Sequence, residues 1–169
     1  MLNESRLIEI YNLYKKELYV YILRFTHSQE TTEDIIQDCF ERLIAYSKKY
    51  ELVDGYIRSF LYKTAHNLCI NYIKRRQKIV FVPIEEDSKK TDDDYISADT
   101  EFDELNSKIY SLIEQCDSVS QSIFIMKKEL EMDIHEIATS IGISERTVRR
   151  KMNALIEYLA AALRDSGFI

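Results

Sequence analysis

Three glycines and one proline stand among 169 residues, and that scarcity constrains the fold more than any other property of the chain. Tight turns between strands draw heavily on both residues, because glycine supplies positive φ and proline pre-sets a bend. A chain so poor in them argues against a turn-rich all-β fold and for helices. The expected class is all-α, with two small helical domains joined by a linker. Hydrophobic residues make up 46%, enough to build packed cores. No apolar run approaches the ~18 residues of a membrane span. The start, Met1-Leu2-Asn3-Glu4-Ser5-Arg6, lacks the basic-then-apolar order of an export signal. A cytoplasmic protein without membrane insertion is expected. Cys39, Cys69 and Cys116 are odd in number and too widely spaced for a C-x-x-C pair, so they read as reduced core residues.

The formal charge of −6 argues at first against a nucleic-acid partner. Residues 85–104, however, hold ten acidic residues against Lys89 and Lys90 alone, and the 21 basic and 19 acidic residues elsewhere leave the remainder slightly positive. Within that remainder, residues 58–78 carry Arg58, Lys63, Lys74, Arg75, Arg76 and Lys78 with no acid, and residues 146–151 add Arg146, Arg149, Arg150 and Lys151. The pattern is two folded parts with basic patches and a strongly acidic strap between them.

Helical periodicity runs through Leu7, Tyr11, Tyr14, Leu18, Tyr21/Ile22 and Phe25, stops at the polar, cap-forming stretch 28–32, and resumes through Ile35, Ile36, Cys39, Phe40, Leu43 and Ile44. Asp54 is a plausible N-cap of a third helix, with Ile57, Phe60/Leu61, Thr64/Ala65, Leu68 and Tyr72 as its stripe. Its cationic end at 74–78 also suits a helix dipole, which is the plainer reading of that cluster. Residues 79–84 read as a short extended segment broken by the only proline. Domain boundaries are expected at 1–78, 79–101 (acidic linker) and 102–169, where periodicity returns through Phe102, Leu105, Ile109, Leu112 and Ile113 and again through Val119, Ile123, Phe124, Met126 and Leu130.

The most specific local pattern spans 133–161. Asp133 with Glu136 fits an N-cap with its returning glutamate. Ile134, Ile137, Ala138 and Ile141 form one side of a short helix that stops at Gly142, where a tight turn needs positive φ. Ser144 then caps a longer helix with Val148, Met152, Leu155, Ile156 and Leu159 expected inward. A small residue at 138, glycine four later and a β-branched residue six after that is helix-turn-helix spacing. Its outward residues Ser144, Glu145, Arg146, Thr147, Arg149, Arg150 and Lys151 are the expected duplex-DNA contacts, since arginine reads guanine and the other groups hold phosphates. A helical hairpin with a merely solvated charged face is the alternative.

On the third helix, Tyr62, Lys63, His66, Asn67, Asn71, Lys74, Arg75 and Arg76 combine rings, amides and cations, a chemistry suited to single-stranded nucleic acid. Tyr62, His66 and Asn67 are expected outward; Phe60 and Tyr72, on the apolar stripe, are expected in the core. No Gly-rich phosphate loop, H-E-x-x-H or nucleophile elbow occurs, so no catalytic residue, cofactor, metal or small-molecule substrate is expected.

The order of these parts resembles a bacterial RNA polymerase sigma factor of the extracytoplasmic-function (group four) type, over nearly the whole chain. Residues 33–43 (EDIIQDCFERL) look like that family's core-polymerase-binding helix. Residues 60–76 (FLYKTAHNLCINYIKRR) look like its promoter-melting helix, and 134–152 are similar to its −35 reader. The chain departs from the pattern in having no tryptophan, in Asn71 where aspartate is common, and in Gln115-Cys116-Asp117-Ser118 where Leu-Pro is usual. The resemblance implies core RNA polymerase, promoter DNA and an anti-sigma factor as partners. Asp34, Gln37, Asp38 and Glu41 would meet the polymerase, the loop at 46–54 with the start of the third helix would capture a flipped −10 base, and the helix from Ser144 would hold the −35 element. The rival readings are a helix-turn-helix regulator that never touches core polymerase and a helical interaction protein whose basic faces bind acidic protein.

Overall fold

The computed structural model describes residues 2–79 and 100–169; the expected extended segment and acidic linker lie, apart from their ends, outside the described residues. Within them every regular element is a helix: α1 (Glu4–Thr26), α2 (Gln29–Ser47), α3 (Asp54–Ile79), α4 (Thr100–Ile113), α5 (Ser118–Lys128), α6 (Ile134–Ile141) and α7 (Glu145–Asp165). The expected all-α class is observed. Two compact units result, one built on α1–α3 and one on α4, α5, α7 and most of α6.

In the first unit, side-chain caps set where the helices begin. Asn3 Oδ1 accepts from the Arg6 N–H at 2.8 Å and opens α1, and Ser28 Oγ accepts from the Thr31 N–H at 3.3 Å and opens α2. Between them His27 takes φ 50°, the left-handed turn that ends α1. Because α2 begins at Gln29, the acidic pair Glu33-Asp34 lies in its second turn rather than at its start. Asp54 is the first helical residue of α3, not its cap, and its carboxylate instead accepts from Arg6 at 2.6 Å. Leu18, Tyr21, Ile22, Cys39, Leu43, Leu61 and Cys69 are fully buried where the three helices meet. Burial pushes the Cys39 thiol up to about 12 and raises that of Cys69 as well. Arg58 on α3 reaches Glu17 on α1 at 3.3 Å, a half-buried staple between the two helices.

In the second unit Asp117 caps α5, accepting from the Ser120 N–H at 3.0 Å and the Ser120 hydroxyl at 2.7 Å. Cys116 beside it is half-buried, not a core residue as expected. Ile123, Met126, Met132, Ile137 and Val148 form the core. The helix-turn-helix is built as its spacing predicts. The Glu136 N–H donates to Asp133 Oδ1 at 2.8 Å while the Asp133 N–H donates to Glu136 Oε2 at 3.0 Å, a reciprocal cap. Gly142 takes φ 81°, and the Ile143 N–H donates to the Ala138 carbonyl at 3.1 Å, closing the turn after α6. Ser144 Oγ then accepts from the Thr147 N–H at 3.1 Å and starts α7. One expectation fails here. Ile156 is 60% exposed, because the buried side of α7 is the narrower ridge of Val148, Leu155 and Leu163.

Candidate nucleic-acid interface

The first unit presents two polar faces. On α2, Asp34, Gln37, Asp38 and Glu41 are all exposed, opposite the buried Ile35, Ile36, Cys39, Phe40 and Leu43. Their three- and four-residue spacing puts them on one side of the helix. Gln37 donates to Glu41 at 2.8 Å. Asp34, Asp38 and Glu41 form no ion pair among the described residues, so their charge is available to a cationic surface.

On α3, Lys63, Asn67, Asn71 and Lys74 are exposed at intervals of three and four, a single outward face, with Arg75 and Arg76 exposed at its end. The same face continues toward the start of the helix through Tyr56, 39% exposed, and the half-buried Phe60. There it meets the end of α2. Tyr46 stands 4.8 Å from Tyr50, 5.0 Å from Phe60 and 6.5 Å from Tyr56, ring centre to ring centre. Four rings thus gather where the chain passes from α2 to α3, followed along α3 by alternating cations and amides. Rings offer stacking platforms, cations hold a backbone and amides pair with base edges. The loop was expected to matter; its rings were not singled out. Phe60 is only half-buried and belongs to this cluster.

Two expected contact residues are placed elsewhere. Tyr62 is fully buried and His66 is 5% exposed, so neither faces outward. The cause is geometric: α3 packs against both α1 and α2, so its buried sector is much wider than one apolar stripe. His66 Nδ1 lies 3.2 Å from the Tyr21 hydroxyl, and the Tyr21 and Tyr62 rings meet edge to face at 5.3 Å. Desolvation lowers His66 to about 4, leaving a neutral imidazole. The Tyr62 hydroxyl is buried without a hydrogen-bond partner, and burial, with the Glu17 carboxylate adding to it, raises its pKa far above that of an ordinary phenol.

The second unit presents α7. Arg146, Arg149 and Arg150 are exposed on one side of it, with Glu145 at the edge of that side and exposed Asn153 continuing it. Asn153 was not among the expected contacts, although its spacing of four from Arg149 gave the signal. Ser144 and Thr147 are engaged with each other, their hydroxyls 2.9 Å apart, in the helix cap. Lys151 is corrected to a structural role: its ammonium lies 3.1 Å from Asp117 Oδ1, on the other side of α7, and ties that helix to the cap of α5. Among the described residues no cluster of His, Cys, Asp or Glu could hold a metal ion, and no helix is long and apolar enough to cross a membrane.

Comparison with known proteins places these faces in context. Residues 10–79, which span most of α1 and all of α2 and α3, match the family described as sigma-70 region 2. The chain is similar to RNA polymerase sigma factor YlaC of Bacillus subtilis (strain 168), 27% identical over 148 residues, covering 84% of this chain and 83% of that protein. ECF RNA polymerase sigma factor SigM of the same organism is 27% identical over 74 residues, 44% of each chain. Two solved structures share the fold at 15% identity and a TM-score of 0.68. One is the sigma factor RpoE in complex with the anti-sigma factor NepR from Bartonella quintana, covering 92% of this chain and 95% of that one. The other is CnrH in complex with the cytosolic domain of CnrY, covering 96% and 90%.

Proposed function

We propose that the chain is an RNA polymerase sigma factor of the extracytoplasmic-function type, a reading supported by the region 2 match and the similarity to YlaC and SigM, and that it binds core polymerase through α2, takes the −10 strand on α3 and holds the −35 duplex with α7. As a sigma factor it directs transcription initiation, with core RNA polymerase, promoter DNA and an anti-sigma factor as partners. Catalysis belongs to the polymerase, and the chain itself works as a cytoplasmic, non-enzymatic subunit. The observation that carries this reading is a coincidence of place. The region 2 match covers the helices that carry the unpaired acids of α2 and the ring–cation–amide face of α3. A regulator that never met core polymerase would use α6 and α7 and leave both of those faces without a task.

Run-off transcription with purified core enzyme tests the reading. Promoter-dependent product on genomic templates is expected, and its absence on all of them would overturn the assignment. Asp38→Arg places a cation in the acidic α2 face. Retention on immobilised core polymerase is expected to fall by about tenfold or more, equivalent to ~1.4 kcal/mol. An unchanged affinity would remove α2 as the docking face. For α7, Arg150→Ala in the polymerase-bound factor is expected to weaken −35 duplex binding and reduce the slope of log affinity against log salt by about one. An unchanged slope would remove Arg150 as a phosphate contact.

A further inference from the structure

An acid on the arginine-bearing side of α7 needs an account. Glu145 lies beside Arg146, Arg149 and Arg150, where any bound duplex brings phosphates, and a carboxylate there opposes binding to every sequence. It is not the helix cap, since Ser144 fills that role. A first-turn acid does favour the helix dipole, but this one also has side-chain partners on two helices. Glu145 Oε1 is 3.1 Å from His135 Nδ1 on α6, and Oε2 is 3.9 Å from Arg149 Nη2 one turn further along α7. The carboxylate remains 47% exposed between these two partners. It is therefore a solvent-accessible group that can only accept hydrogen bonds, flanked by a histidine on α6 and by an arginine that can only donate them.

The major groove offers two kinds of donor, the amino groups of cytosine and adenine. Adenine presents its amino group beside the N7 acceptor, which a carboxylate would repel, whereas cytosine presents a donor alone. Glutamate accordingly pairs with cytosine N4, and the neighbouring arginine with guanine O6 and N7. We propose that Glu145 is a specificity-determining residue of the −35 contact: its carboxylate accepts from the exocyclic amino group of one cytosine, with His135 and Arg149 as its positioning residues. The inference rests on α7 being the −35 reader and adds what that helix selects. Glu145 trades affinity for all DNA against preference for one C·G pair.

The test is selection from a duplex library randomised over the −35 element, using the full chain bound to core polymerase, for wild type, Glu145→Ala and His135→Gln. Each enriched position is then measured by titration with single-base variants at fixed salt. Wild type is expected to prefer C·G over T·A at one position by roughly tenfold or more. In Glu145→Ala that preference should collapse to within about twofold at that position alone, while affinity for unselected duplex rises severalfold as the repulsion is lost. His135→Gln should weaken the same preference without raising affinity for unselected duplex. If Glu145→Ala keeps every wild-type preference, the inference falls while the −35 reading stands. If wild type enriches no sequence at all, both fall together.

Discussion

Tyr62→Ala should lower the stability of the first unit by about 3–5 kcal/mol, the range found when a large buried ring is truncated, whereas Tyr62→Phe should leave it unchanged or raise it by about 1 kcal/mol. The asymmetry follows from the environment of the ring. Tyr62 is fully buried against Tyr21, and its hydroxyl, with the Glu17 carboxylate near it, makes no hydrogen bond of good geometry, so the ring contributes the packing and the oxygen mainly a desolvation cost. Urea melts followed by far-ultraviolet circular dichroism measure both variants. Binding of single-stranded −10 oligonucleotide by Tyr62→Phe in complex with core polymerase separates this account from a stacking role. A Phe variant that binds the strand normally is expected. One that is folded but deficient in strand binding would return Tyr62 to the interface.

Acid should weaken the same unit through His66. Its folded-state pKa is lowered to about 4 by burial, against an ordinary value near 6.5. Above that ordinary value both folded and unfolded forms are neutral and the full stability is present. As pH falls from about 6.5 to about 4 the unfolded chain binds a proton that the folded chain refuses, so stability is lost at ~1.4 kcal/mol per pH unit, about 3 kcal/mol in all. Below about 4 both forms are protonated and the loss levels off. His66→Gln removes the titration, so its urea midpoints should show a shallower decline between pH 6.5 and 4 than wild type. Parallel declines would show that His66 takes no part in acid sensitivity.

Features whose partners lie close along the chain were legible in the sequence. The reciprocal cap of Asp133 and Glu136, the positive φ of Gly142 and the cap at Ser144 each depend on residues within a few positions, and each is built as read. What failed depends on tertiary packing. A helix that touches two others buries more than its apolar stripe, so polar-looking Tyr62 and His66 lie in the core, while Phe60, expected there, is only half-buried and joins the outward face. Lys151 looked like one more cation of the recognition helix because its partner Asp117 is 34 residues away. The gathering of Tyr46, Tyr50, Tyr56 and Phe60 depends on how the chain turns between α2 and α3, which no periodicity records.

The placement of the three thiols makes the first unit its own reporter of opening. Cys39 and Cys69 are sealed inside it, and Cys39 holds its proton up to about pH 12, so neither offers thiolate to an alkylating reagent while the helices stay together. Half-buried Cys116, in the other unit, is the one thiol with a route to solvent in the folded chain. Any reaction beyond a single equivalent therefore counts molecules in which α2 and α3 have parted, and its rate under mild conditions measures how often they do so.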